Sequence, residues 1–403
     1  MRVVICGAGI AGLTLANRCS VLGAEVVMLE RSRGPRPQGY MIDFFGPGHD
    51  TADAMGLLPA IKDVAYRIEE ANLVDDRGRR RATARPSQFT DGPLLDVMRP
   101  DLEQVLRENL PPAVDLRFGV SPVAISDHRE AVRVTVDDGT QLEADLVVGA
   151  DGLHSAVRRM TFGEESNFLR YLGFHTAAFS FVDPELHAAL QGRFCLTDTV
   201  DRQMGLYALR DGRVAVFAVH RAPDPAPPDD ARAAVREVYN GLKWVVPQVL
   251  RACPSADEMY YDQVAQTVMP NWSRGRVTLL GDACYAVSLI AGQGASLGMA
   301  GAYVLADQLA SAPTVDEALA GYERLWRPVA EEKQEVGRSA AHWFLPASTW
   351  QLLMRHVMLR AARLPFFDRV IPATLVGKSS ALIVDLHRAG TRRLPETQRE
   401  GIR

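Results

Sequence analysis

The 403 residues predict an α/β fold: a Rossmann-like domain assembled from discontinuous pieces, a β-sheet domain inserted within it, and C-terminal helices. Three observations carry this. A glycine-rich turn, Gly7-Ala8-Gly9-Ile10-Ala11-Gly12, stands between an apolar run and a helical pattern. Hairpin-like strands crowd residues 166–270. From Pro313 onward the pattern is mostly helical and carries Trp326, Trp343, Phe344 and Trp350.

The opening elements form a βαβ unit. Val3 to Cys6 is a β-branched run read as a buried strand. A helix is expected from Leu13 to Leu22, ended by Gly23. Glu25 to Leu29 is the second strand, and Glu30 closes it. Gly7 suits the tight turn, Gly9 lets a pyrophosphate approach, and Gly12 lets helix and strand pack closely. The helix N-terminus offers unpaired N–H groups to phosphates. Glu30 lies 18 residues beyond Gly12, where an acid can accept from ribose hydroxyls.

Further along, residues 71–85 read as a hairpin around Asp76-Arg77-Gly78. Val132 to Val136 and Leu142 to Val148 form a second, and Gly205 to Leu209 with Arg213 to Val219 a third. Arg276 to Leu280 is a strand leading into Gly281. Residues 1–75, 96–165 and 271–330 are assigned to the nucleotide-binding domain, 76–95 and 166–270 to the β-rich substrate domain, and 331–403 to a helical region.

Composition narrows the function. Hydrophobic residues at 47% and charged residues at 23% are ordinary for a globular protein. A net charge of −4 argues against a broad nucleic-acid surface. The five cysteines are far apart and form no CxxC, so neither a disulfide framework nor a metal site is expected. Reduced thiols in a cytoplasmic protein are the simplest reading. The N-terminal run loosely resembles a signal peptide, but its single Arg and its spaced glycines argue against one.

Motifs beyond the first are more specific. Gly149-Ala150-Asp151-Gly152-Leu153-His154-Ser155, followed by Val157-Arg158, resembles the GADGxxSxVR segment of flavoprotein monooxygenases of the para-hydroxybenzoate hydroxylase type. Gly281-Asp282-Ala283 resembles that family's GD motif, and Gly292-Gln293-Gly294 its GxG at the helix facing the flavin. Arg99 and Leu102 are similar to its RxxL segment. The resemblance implies a GR2-type Rossmann-like domain that holds FAD non-covalently. Its expected contacts are Gly7, Gly9, Ile10, Ala11, Gly12, Glu30, Arg31, Arg99, Asp151, Asp282, Gly292, Gly294 and Ala295. NADH or NADPH would be a transient co-substrate, which fits the lack of a second nucleotide fingerprint. The implied reaction is oxygen transfer to a hydrophobic or aromatic small molecule, a natural product or a drug. Two alternatives stay open: an NAD(P)H-dependent flavin reductase serving a partner oxygenase, and a non-catalytic FAD- or ligand-binding protein.

The resemblance also explains why no charge separates Asp282 from Asp307, 24 residues that are long enough to span a bilayer. Gly281 and Asp282 end a strand, Ala283 to Gly292 form a loop over the flavin, and Gly294 to Leu309 form a helix packed on ring and core. No membrane span is expected. Cys284 and Tyr285 stand where the family often has Ala and His, Leu289 where it has Pro, and Ser296 where it has Asn. Leu289 and Ser296 are expected beside the flavin face, which puts oxygen insertion in question. His175, Tyr207 and His220 are acid–base candidates, but no catalytic residue is assigned. The Arg77, Arg79, Arg80, Arg81 and Arg85 cluster reads as a solvated hairpin rim. Apolar residues 342–358 are expected to pack on the main domains, and the oligomeric state is open.

Overall fold

The computed structural model describes residues 1–84, 93–128, 130–288, 292–361 and 381–393. A six-stranded sheet holds β1 (Arg2–Cys6), β2 (Glu25–Glu30), β7 (Asp115–Phe118), β11 (Leu146–Gly149), β17 (Ser273–Arg274) and β18 (Val277–Leu279), in the order β17-β18-β11-β1-β2-β7. All its pairs are parallel except β17 with β18. β11 is wholly buried and β1 and β2 nearly so, as expected of a parallel sheet covered on both faces. A small meander, β8 (Pro122–Asp127), β9 (Val132–Val136) and β10 (Gln141–Ala144), precedes β11. The strand expected over Leu142–Val148 is therefore two strands. They part at Asp145, whose carboxylate accepts from the Arg2 N–H while its own N–H donates to the Arg2 carbonyl.

The second sheet has seven strands: β4 (Glu70–Val74), β5 (Arg80–Ala84), β12 (Leu169–Val182), β13 (Arg193–Thr197), β14 (Arg202–Ala208), β15 (Arg213–Arg221) and β16 (Tyr260–Thr267). Its order is β16-β12-β15-β14-β13-β4-β5. β4 pairs with β13, so the chain enters this sheet at Glu70 rather than at residue 76. Helices α6 (Pro184–Ala189), α7 (Ala231–Tyr239) and α8 (Val246–Ala252) cover one face, over a core that includes Phe179, Leu206, Val216 and Tyr239. The other face, with Tyr207, Phe217, Val219 and Val264, turns toward the first domain. Between the sheets runs a two-stranded ribbon, β3 (Met41–Phe44) with β6 (Leu95–Met98).

Helix α1 (Ile10–Val21) follows β1, and α2 (Pro47–Ala54), α3 (Leu58–Val64), α4 (Arg99–Glu108) and α5 (Ala156–Phe162) follow in chain order. The uncharged run becomes a short helical turn α9 (Asp282–Tyr285) and helix α10 (Gly294–Ser311). Every residue of α10 from Ser296 to Ala306 is buried, which is why it carries no charge. It lies among α1, α2 and α11 (Val315–Phe344). A Cβ on Gly298 would stand 3.3 Å from that of Ala11, so the two helices meet at small residues. Among the described residues no helix is long and apolar enough to cross a membrane. Helix α12 (Thr349–Ala361) and a last helix, Leu382–Arg393, complete the fold. On α12, Trp350, Leu353 and Val357 are exposed.

Candidate active site

The glycine-rich turn is tight for two separate reasons. Gly7 has φ +107°, and a Cβ there would lie 2.4 Å from the Ala150 carbonyl oxygen, so the ends of β1 and β11 close on each other. A Cβ on Gly12 would lie 2.0 Å from the Gly7 oxygen. Gly9 differs. The nearest protein atom to a Cβ there is 3.7 Å away, on Glu103, so the fold itself leaves room for a side chain. That room opens into a cavity of about 730 Å³.

The cavity gathers most of the expected contacts. Gly9, Ile10, Ala11, Arg99, Asp282, Gly292, Gly294 and Ala295 all line it. Gly7, Gly12, Glu30, Arg31 and Asp151 are not among its lining residues. Glu30 stands behind the turn: its carboxylate accepts from the N–H groups of Ala8 and Ser32, both at 2.9 Å. Burial works to raise its pKa, but these donors outweigh burial and hold it below the usual range. The Ser32 hydroxyl is a third donor to the same carboxylate. Arg31 is exposed at the end of β2.

Asp151 lies behind the residues that line the cavity. Its carboxylate accepts from Ser155 Oγ at 2.5 Å and from the N–H groups of Ala156 and Val157 at 2.7 and 3.1 Å. It caps α5 and so fixes the Ala150–Gly152 backbone that lines the cavity. Arg158, fully buried, donates to the carbonyls of Leu153 and Ala283 and ties this backbone to the Asp282 turn.

Arg99 opens α4 at the cavity wall and pairs with Glu103 at 2.8 Å. Burial opposes its charge, yet Glu103, Tyr40, Tyr260 and Asp282 hold the guanidinium charged more firmly than usual. Asp282 is open to the cavity but enclosed by protein. Burial raises its pKa, and Arg99 opposes the rise. Its Oδ1 lies 3.6 Å from a Cβ placed on Gly294, at the start of α10. Two helix N-termini, those of α1 and α10, therefore face one cavity, and each favours negative charge.

The departures from the motif resolve unevenly. Ser296 does not line the cavity; its hydroxyl packs against Gly48 of α2, because one turn of α10 can present only Gly294, Ala295 and Gly298 inward. Leu289 lies outside the described residues, as does Arg85. The rest of that arginine cluster is exposed or pairs with Asp75. Cys284 is fully buried, and burial pushes its thiol far above the usual range, which leaves it inert. Tyr285 packs on Trp272, with ring centroids 4.9 Å apart.

The opposite wall comes from the second sheet. Tyr207 lines it, but its hydroxyl accepts from the Met41 N–H at 2.8 Å and donates to Met98 Sδ, so it is committed to packing. His175 and His220 point to the other face, where the Tyr261 hydroxyl bridges them at 3.0 and 3.3 Å. Neither lines the cavity. Sequence reading missed four lining residues that matter more. Gln203 is 1% exposed, and neither atom of its carboxamide has a partner. Arg355 of α12 reaches the same wall and pairs with buried Asp198. Asp43 and Asp96 face the cavity from β3 and β6. Nothing in the sequence flags them, because register and chain crossing bring them together.

The open space at Gly9, the paired helix starts and the Arg99–Asp282 flank suit a phosphate-bearing dinucleotide with a ring at α10. Residues 1–335 match the family model described as FAD binding domain.

The chain belongs to the FAD-binding-domain flavoprotein monooxygenases.

This family's relatives cover most of the chain. An uncharacterized Mycobacterium tuberculosis protein is 37% identical over 319 residues, 77% of this chain and 85% of that protein. A flavin-dependent monooxygenase from an unknown prokaryotic organism is 28% identical over 354 residues, 85% of this chain and 90% of the relative. Among solved structures, tetracycline destructase Tet(51) superposes with TM-score 0.80 at 24% identity, covering 94% of this chain and 98% of that one. The flavoprotein monooxygenase chain is thus an FAD-dependent oxidoreductase reduced by NAD(P)H.

Proposed function

We propose that this enzyme transfers one oxygen atom to a planar, largely aromatic small molecule with a hydrogen-bonding edge. The observation that carries the reading is Gln203, an unpartnered and buried carboxamide on a wall where Phe194, Leu196 and Phe217 also stand. An amide left unbonded there costs about 1–3 kcal/mol, which a ligand's paired donor and acceptor would recover.

When bound, FAD supplies the hydride-accepting and oxygen-activating chemistry. The chain's own residues position and polarise. The first turn of α1 receives phosphate charge, and Glu30 fixes the turn behind it. Asp282 and Arg99 both line the cavity. The start of α10, open to the same cavity, would favour negative charge on a bound cofactor. The aromatic wall of the second sheet excludes water from the far end.

The reductase alternative rested on Ser296 and Leu289. Ser296 turns away from the cavity, so that motive weakens. The deciding experiment supplies purified protein with FAD, NAD(P)H and labelled oxygen gas. Planar phenols and a tetracycline serve as probes, and mass spectrometry follows the products. A product one labelled oxygen heavier is the expected outcome. Hydrogen peroxide stoichiometric with NAD(P)H for every probe would sink the reading and favour the reductase.

A further inference from the structure

The ribbon between the two domains holds two carboxylates that the assigned chemistry does not use. Asp43 on β3 and Asp96 on β6 are cross-strand partners in an antiparallel pair, and both line the cavity. Directly opposed residues project to the same side, with Cβ atoms about 4.5–5.5 Å apart. Asp43 also borders the start of α10: its Oδ2 lies 3.5 Å from a Cβ placed on Gly292. The pair thus stands where the nucleotide-binding floor meets the apolar substrate wall. Gln203 independently places a buried, unpartnered carboxamide in the same cavity.

Building on the proposed oxygen transfer, we propose that Asp43 and Asp96 form a one-proton carboxyl–carboxylate pair that takes a proton from a hydroxyl of the substrate. The substrate O–H bond breaks and its electron pair stays on that oxygen. The proton joins the ionised oxygen of the pair, which passes from one bound proton to two. A phenolic oxygen so ionised makes its ring richer in electrons toward an electrophilic oxygen donor.

The charges around the pair support this. Burial raises Asp96 first, and the Asp43 charge raises it further, to about 7; the Ile68 N–H, donating at 3.3 Å, opposes both. Burial raises Asp43 as well. Cations on the neighbouring elements are engaged elsewhere or lie outside. Arg99 on α4 pairs with Glu103, Arg210 donates to the carbonyls of Val64 and Ala65, and Lys62 and Asp63 on α3 are exposed. Asp101 on α4 is coupled to Arg210, and Tyr66 meets Asp96 through its backbone N–H. Opposed carboxylates that no cation pairs with among the described residues resist ionising together, so the pair holds its last proton up to about pH 7.

The test is infrared titration of the carboxyl C=O band in FAD-loaded protein, comparing wild type with Asp43→Asn and Asp96→Asn. Wild type is expected to lose one carboxyl proton near pH 7. Asp43→Asn should lower that midpoint by about one unit, a tenfold loss of proton affinity, because the neighbouring charge is gone. Asp96→Asn should remove the midpoint. In Asp43→Asn the acid limb of the oxygen-incorporation profile should rise to the remaining Asp96 midpoint, because the wild-type base is the carboxyl that ionises first. A midpoint unchanged in Asp43→Asn, or a wild-type pair that titrates wholly below pH 5, overturns the proposal. The infrared reading needs no substrate, so a failure of the oxygen-transfer reading is seen separately. Asp43 makes the safer variant, since it faces the cavity rather than the Ile68 backbone.

Discussion

Single residues divide by what surrounds them rather than by the motif they belong to. Gly9 and Gly12 share one fingerprint, yet the first borders empty space and the second a carbonyl oxygen. Gly9→Val should therefore fold with little change in Tm but lose at least about tenfold in FAD affinity, read from flavin absorbance after gel filtration. Gly12→Ala should cost about 1–3 kcal/mol of stability through overpacking, with flavin loss as a consequence. Gln203→Leu removes a buried unbonded amide and should leave Tm equal or higher. It should raise KM about tenfold for any substrate found, with kcat less affected; an unchanged KM would show that the amide serves no ligand. The close packing at Gly12 was legible because it depends on the Gly7 carbonyl within the same turn. Gln203, Asp43 and Asp96 were not, since a lone polar residue in a strand carries no mark of which wall it will join.

Elements were legible where periodicity and turn residues are local. The first βαβ unit, the hairpins at 71–85 and 205–219 and the helix from Gly294 all follow that logic. The break at Asp145 and the pairing of β4 with β13 depend on strands far away in the chain. Contacts between elements also carry the clearest pH dependence. His154, in the loop before α5, lies 3.0 Å from both Glu165 and Asp262 of β16. Its hydrogen bond to Asp262 and the nearby carboxylates raise its pKa to about 9, with burial opposing. A folded-state value above the unfolded one near 6.5 means its stabilisation is full below about pH 6.5. It is then lost as pH rises through about 9. His154→Gln should lower Tm at pH 6 and leave it nearly unchanged at pH 10, as a calorimetric pH series would show. The imidazole is about 40% exposed, so the effect is modest.

At the scale of the molecule, α12 ties the C-terminal region to the second sheet. Arg355 pairs with Asp198 and donates to the Phe344 carbonyl at 2.6 Å, while burial pulls its pKa down to about 10. Arg355→Met leaves Asp198 buried without its cation and should cost about 3–5 kcal/mol, or release α12 instead. Hydrogen exchange across residues 349–361 separates the two: faster exchange confined to α12 marks release, and faster exchange throughout marks global loss. The first sheet imposes a longer-range demand. Val3 pairs with Leu146, and Val147 with Val277, so the central strands come from the beginning, middle and far part of the chain. A ribosome working at about 5–20 residues per second needs tens of seconds to deliver β18 after β1 has emerged. For the later part of that interval β11, already able to pair with β1, has its β18 edge open. The unfinished sheet then exposes an apolar strand edge, and shortening the chain before β18 should yield aggregate rather than a smaller flavin-binding unit.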